Sequence, residues 1–207
     1  MIAAGAYVLG SLSGSLMLGR LRGVDIRTLG SGNAGSTNAL RTQGLAFALG
    51  VMSIDVGKAV LATILARQLA TQFGLEPIDA AMAAAISVLV GHVWPVFHGF
   101  RGGKGAATAV GALLVLWPPA ALIGLLTWLP VLVIGGWVSL ATLCAGVVVL
   151  LASFLWSSPD AQPQISLYAG FVVVAMLWTH RSNLARLSAG NEHRFERARV
   201  FRKKLDP

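Results

Sequence analysis

Long apolar runs separated by short polar stretches dominate the hydropathy pattern along the chain. A helix that crosses a bilayer needs about 20 mostly apolar residues. Runs near that length cover Ile2 to Gly19, Leu45 to Ala66, Ala80 to Phe97, Val138 to Trp156 and Ile165 to Trp178. A longer run, Ala106 to Ile134, contains Pro118 and Pro119. That pair removes two backbone donors and restricts the residue ahead of it, so the pattern predicts two helices folded back at the prolines. No small-residue cleavage pattern marks the first run as a removable signal peptide. The expected fold is an all-α integral membrane protein with seven transmembrane helices, residues 1–207 forming one domain.

Composition agrees: 56% of the 207 residues are hydrophobic and 12% charged, with a mean hydropathy of +0.73. Soluble domains average about 45–50% apolar and about 25% charged residues. An ordinary soluble enzyme, a disordered chain and a disulfide scaffold are thereby excluded, and the single Cys144 leaves no intrachain disulfide or thiolate metal site. The net charge of +8 reads first as a membrane face touching anionic lipid rather than nucleic acid. Arg20, Arg22, Arg27 and Arg41 follow the first run, Arg101 and Lys104 the third, and eight basic residues from Arg181 to Lys204 the last. With seven crossings these segments share one face, which the positive-inside bias makes cytoplasmic, with the N-terminus outside. A single crossing over the proline stretch would put the basic tail, residues 193–207, on the opposite side.

Three polar segments on that face carry the candidate chemistry: residues 30–42, 91–108 and 180–192. The first contains Gly30-x-Gly32-x-x-Gly35, the dinucleotide-binding spacing, but without the strand and βαβ unit such a fingerprint requires. What remains is local physics. Glycines let successive amides face a concavity suited to phosphate. Ser31, Asn33, Ser36, Thr37 and Asn38 add short polar groups, and Arg41 adds a fork for phosphate oxygens. These groups favour an anion site over a merely flexible interhelical loop.

In the second segment, Gly102-Gly103-Lys104-Gly105 is no P-loop: His98 stands where its first glycine belongs and Gly105 where a magnesium-binding hydroxyl belongs. It reads either as a glycine turn opening a helix near Ala106, with Lys104 charging an anion-attracting N-terminus, or as positive-inside anchoring. In the third, His180 and Asn183 share a face of a continuing helix and could enter one site, or His180 could pack at the membrane boundary. Arg186 onward reads as a solvated basic tail.

Other chemistries find little support. The four histidines form no metal-ligand pair. Five residues after them lie Phe97, Gly103, Ala185 and Ala198, so a His-x4-Asp acyltransferase signature is missing, as is a GxSxG elbow. Asp55 and Lys58, three apart on one helix, are expected to neutralise each other inside the membrane. A transporter or binding protein for a phosphorylated metabolite would use the same cradle, but the outer side offers only Arg67, Glu76, Asp79 and Asp160 for a polar path.

In order and position, Gly30 to Arg41, Gly91 to Gly105 and His180 to Arg186 resemble the GSGNxGxTNxxR, GHxxPxFxxFxGGKG and HxxNIxR motifs of the bacterial acyl-phosphate-dependent glycerol-3-phosphate acyltransferases. Departures are small: Leu184 stands for the usual Ile, and Ser182 for a frequent acid. The resemblance implies transfer of a fatty acyl group from acyl phosphate to the 1-hydroxyl of glycerol 3-phosphate, giving lysophosphatidic acid and phosphate. It implies a multi-pass protein of the cell inner membrane, in contact with lipid, with its site on the cytoplasmic face and with no metal, cofactor or nucleic acid. Its implied catalytic residues are Ser31, Arg41, Lys104, His180 and Asn183. Its implied substrate-binding residues are Gly30, Gly32, Asn33, Gly35, Thr37, Asn38, Gly102, Gly103 and Ser139. Whether His180 or a substrate phosphate takes the hydroxyl proton stays open.

Overall fold

The computed structural model describes residues 1–195, which leaves the last five basic residues of the expected tail, from Arg197, outside the described residues. Within these limits the chain is helical without a strand: α1 (Ile2–Gly10), α2 (Gly14–Leu21), α3 (Ser36–Gln43), α4 (Leu45–Leu69), α5 (Pro77–Val93), α6 (Ala106–Leu116), α7 (Pro119–Gly135), α8 (Val138–Trp156), α9 (Gln162–Thr179) and α10 (Arg181–Ser188). Pro77 and Pro119 open α5 and α7 at first-turn positions, where a missing N–H costs nothing.

The proline break falls where the sequence places it, since α6 ends at Leu116 and α7 starts at Pro119. The first apolar run behaves differently. Ile2 to Gly19 is expected to be one helix, but it breaks between Gly10 and Gly14 and bends by 45°. Its support comes from another element: the Lys58 ammonium on α4 donates to the carbonyls of Gly10 and Leu12, each at 2.9 Å, and the Asp55 carboxylate accepts from the Gly14 amide at 3.1 Å. Backbone groups freed by the break are thus satisfied by buried charge, as a low-dielectric interior requires.

Among the described residues, three helices are long and apolar enough to cross a membrane, Leu45–Phe73, Pro77–His98 and Val138–Trp156, with the bent α1–α2 pair as a fourth. Helices α1, α4, α5 and α6 pack through small residues. Ala59, Ala62 and Ala66 on α4 and Ala81, Ala84 and Ala85 on α5 are buried, and a side chain at Gly91 of α5 would strike the Tyr7 carbonyl of α1. Close approach of this kind drives helix association where lipid offers no hydrophobic gain. Many large apolar side chains point outward: Leu126 on α7, Leu155 on α8 and Val174 on α9 are 64%, 72% and 66% exposed. Such a surface suits a hydrocarbon surrounding, not water.

Candidate active site

Loop 30–35 is shaped by one side chain. Asn38 is 1% exposed and sends its Nδ2 to the carbonyls of Ile26, Leu29 and Asn33 at 3.0–3.1 Å, while its Oδ1 accepts from the Ser31 amide at 3.0 Å. Ser15 of α2 donates to the Ala34 carbonyl at 3.0 Å and ties this loop to the broken helix. The second loop is held from below. Gly102 N–H donates to Val93 O at 3.1 Å and Gly103 N–H to His92 O at 3.2 Å. Any side chain at Gly103 would meet the His92 ring, so only glycine fits between that ring and the Ala34 carbonyl. Gly105, at φ +91°, then turns the chain into α6, a conformation that disfavours other residues.

These two loops and the segment after α9 enclose a cavity of about 110 Å³. Of the residues the sequence singles out, Ser31, Asn33, Gly35, Thr37, Asn38, Arg41, Lys104, Ser139, His180 and Asn183 line it. Gly30, Gly32, Gly102 and Gly103 do not. The glycine amides are not aimed at a ligand: those of Gly32, Gly102 and Gly103 already donate to the carbonyls of Leu29, Val93 and His92. The open donors belong to helix ends. The first turns of α3 (Ser36, Thr37) and α6 (Ala106, Ala107) both border the cavity. Unpaired amides and the macrodipole make each end favourable for an anion.

The third segment corrects two expectations. The helix does not continue through His180; it ends there and restarts as α10. Arg186, read as the start of a solvated tail, lines the cavity instead and pairs through Nε with Glu192 Oε2 at 2.8 Å. Glu192, which none of the three motifs includes, is the centre of the network. Its side chain is 5% exposed, and its Oε1 accepts from Ser139 at 2.9 Å and from Asn183 Nδ2 at 2.6 Å. Asn183 Oδ1 in turn accepts from the Lys104 ammonium. An acidic residue just past a basic helix is the signal that marks such a fold-back.

Burial pushes the Glu192 carboxyl up, but hydrogen bonds from Asn183, Arg186 and Ser139 outweigh it and hold the group below its ordinary value. At Lys104 burial wins instead: it strips the ammonium's hydration, Arg186 and Arg41 add repulsion, and despite Glu192 the pKa falls to about 8. His180 drops to about 4, through burial first and the Lys104 charge second, and is neutral at pH 7. Its Nδ1 lies 2.9 Å from the Met176 carbonyl, an acceptor only, so Nδ1 carries the proton and Nε2 keeps its lone pair.

Beneath the cavity the expected Asp55–Lys58 pair forms at 3.0 Å, and His92 joins it, its Nδ1 3.4 Å from Asp55 and 2.8 Å from the Lys58 ammonium. Asp55 and His92 both reach the cavity wall. The lone ionisable group of its apolar run, His92 was open to notice on that ground alone. Among the described residues no cluster of His, Cys, Asp and Glu could hold a metal ion.

The cavity gathers cations, hydroxyls and helix N-termini among helices with an apolar exterior. A family model described as Glycerol-3-phosphate acyltransferase matches residues 1–190. The chain belongs to the glycerol-3-phosphate acyltransferase family. Relatives bearing that description include proteins of Maricaulis maris, 40% identical over 93% of this chain and 85% of that protein, and of Pseudomonas aeruginosa, 40% identical over 94% of this chain and 98% of that protein. The fold matches the crystal structure of PlsY (YgiH), an integral membrane glycerol 3-phosphate acyltransferase in its glycerol 3-phosphate form, with a TM-score of 0.83 and 34% identity over 94% of each chain. The lysophosphatidic acid form of PlsY matches with a TM-score of 0.81. Like PlsY, this acyltransferase is a membrane protein.

Proposed function

We propose that this acyltransferase takes its acyl group from an acyl phosphate and transfers it to the 1-hydroxyl of glycerol 3-phosphate, releasing lysophosphatidic acid and inorganic phosphate. The observation that carries this reading is the meeting of Arg41, Lys104 and Asn183, one from each polar segment, around a single cavity. Both substrates are anionic phosphates, and the cationic Arg41, Lys104 and Arg186 with two helix N-termini offset the repulsion of bringing them together. The proposed topology is seven crossings in the cell inner membrane, with α6, α7 and α9 as spans besides the four that length and composition support, the N-terminus outside and the site cytoplasmic. The distribution of Lys and Arg supports that orientation.

In the reaction the glycerol oxygen attacks the acyl carbonyl carbon, the bond from that carbon to the phosphate oxygen breaks, and phosphate departs. Acyl phosphate is already activated, so alignment and charge stabilisation carry the rate. His180, with its pKa of about 4, is a poor proton store at pH 7. Its Nε2 lone pair suits it to orient the hydroxyl by accepting its hydrogen bond, and a substrate phosphate takes the proton. Lys104 and Arg41 hold the phosphates, with Ser31, Asn33, Thr37 and Ser139 completing the polar wall.

Purified protein given palmitoyl phosphate and labelled glycerol 3-phosphate should release phosphate and lysophosphatidic acid in equal amounts. Transfer from an acyl thioester with none from palmitoyl phosphate would refute the donor assignment. Because Lys104 titrates at about 8, its ammonium is present below that pH and lost above it. The rate should therefore fall as pH rises through about 8. A Lys104→Arg variant, whatever its absolute rate, should lose that descending limb; a limb that persists unchanged would assign it to another group.

A further inference from the structure

Next to the inner cavity lies a second basin of about 520 Å³, which shares Ser31, Arg41 and His193 with it and adds Arg194 and Phe195. The segment that walls it off is fastened across the α7–α8 turn. The Phe195 amide donates to the Gly136 carbonyl at 2.7 Å, and the Arg194 guanidinium stacks on the Trp137 ring at 4.5 Å. Arg41, His193 and Arg194 are exposed. The two basins differ in charge. The inner one contains Glu192 and Asp55, whereas no carboxylate lines the outer one among the described residues.

We propose that the outer basin is a second anion site, which captures the phosphate of the water-soluble substrate before it enters the inner cavity, with Arg194 setting its affinity. The inference rests on the acyl-transfer reading above. Of the two substrates in that reading, one carries an alkyl chain and arrives from lipid, while the other arrives from water. A concave, water-facing surface of one sign raises the local concentration of the opposite charge. Stacking on Trp137 holds the Arg194 guanidinium in place, so little further ordering is needed when phosphate arrives. Arg41 borders both basins, so a phosphate can pass inward without leaving a cationic wall.

The test compares wild type with R194Q and R194K, first by calorimetric titration with glycerol 3-phosphate in the absence of any acyl donor, then by turnover. R194Q should weaken binding about fivefold, the scale of one exposed charge contact, and raise KM for glycerol 3-phosphate by the same factor. Its kcat at saturation should stay within about twofold, KM for the acyl donor should not move, and the difference should shrink as salt is added. R194K should return close to wild type. Unchanged binding by R194Q, or R194K behaving like R194Q, would overturn the proposal, the latter because it assigns Arg194 to ring stacking alone. The titration is repeated in lipid discs of neutral phosphatidylcholine and of anionic phosphatidylglycerol. A deficit confined to the anionic discs would assign the basin to a lipid headgroup and overturn the proposal. A protein that binds glycerol 3-phosphate with the R194Q deficit but releases no phosphate from palmitoyl phosphate refutes the transfer reading and leaves the basin standing. Normal transfer with no R194Q deficit does the reverse.

Discussion

A Lys104→Ala variant is expected to fold normally and to lose turnover by at least about 100-fold, the scale for one preorganised charge contact in a water-poor site. The fold should survive because the loop is shaped by backbone hydrogen bonds from Gly102 and Gly103 to the Val93 and His92 carbonyls, not by the ammonium. Turnover should not survive because Lys104 is the cation linked to Asn183 at the cavity wall. Arg41→Ala, on α3 across the cavity, should lose activity on the same scale. Near-normal turnover in either variant, eluting as wild type in size exclusion, would remove that residue from the site.

The second large effect is on stability. Asp55 and Lys58 have side chains only 2% and 4% exposed, and the pair holds three backbone groups at the break between α1 and α2. Asp55→Ala would leave the Lys58 ammonium buried without its counter-charge and the Gly14 amide without its acceptor. Breaking a buried pair from one side costs about 3–5 kcal/mol. The variant should therefore unfold well below wild type in a thermal melt of the detergent-solubilised protein. A melting temperature within experimental error of wild type would show that the pair does not hold the break. The effect should reach the site as well, since Ser15 of α2 bonds the Ala34 carbonyl and His92 carries Gly103 on its own carbonyl.

How much of this was legible beforehand follows from which forces act locally. The break at Pro118–Pro119 and the helix start at Ala106 could be read from the chain because proline and glycine dictate backbone conformation wherever they stand. The break at residues 11–13 could not be read from hydropathy: its support, Lys58, is more than forty residues away, and Ser11, Leu12 and Ser13 lie in a run that otherwise reads as one span. The small polar residues from Ser11 to Ser15 were the available sign of it. Three of the four glycines outside the inner cavity, Gly32, Gly102 and Gly103, show the same limit, because composition reveals that amides can turn toward a ligand but not that neighbouring carbonyls already hold them. Arg186 was misread for a related reason: a basic residue after a span is ordinarily solvated, and only the fold-back of Glu192 draws it inward.

Three separate stretches of chain build one anion site in the proposed mechanism. Calorimetric titration of the purified protein with glycerol 3-phosphate, in wild type and in Arg41→Ala, Lys104→Ala and Asn183→Ala, tests it by removing one contact from each stretch. Each variant should bind at least about tenfold more weakly than wild type, as expected for losing a hydrogen bond to a charged ligand. Wild-type affinity in any one of the three would show that its stretch lies outside the site and contradict the account.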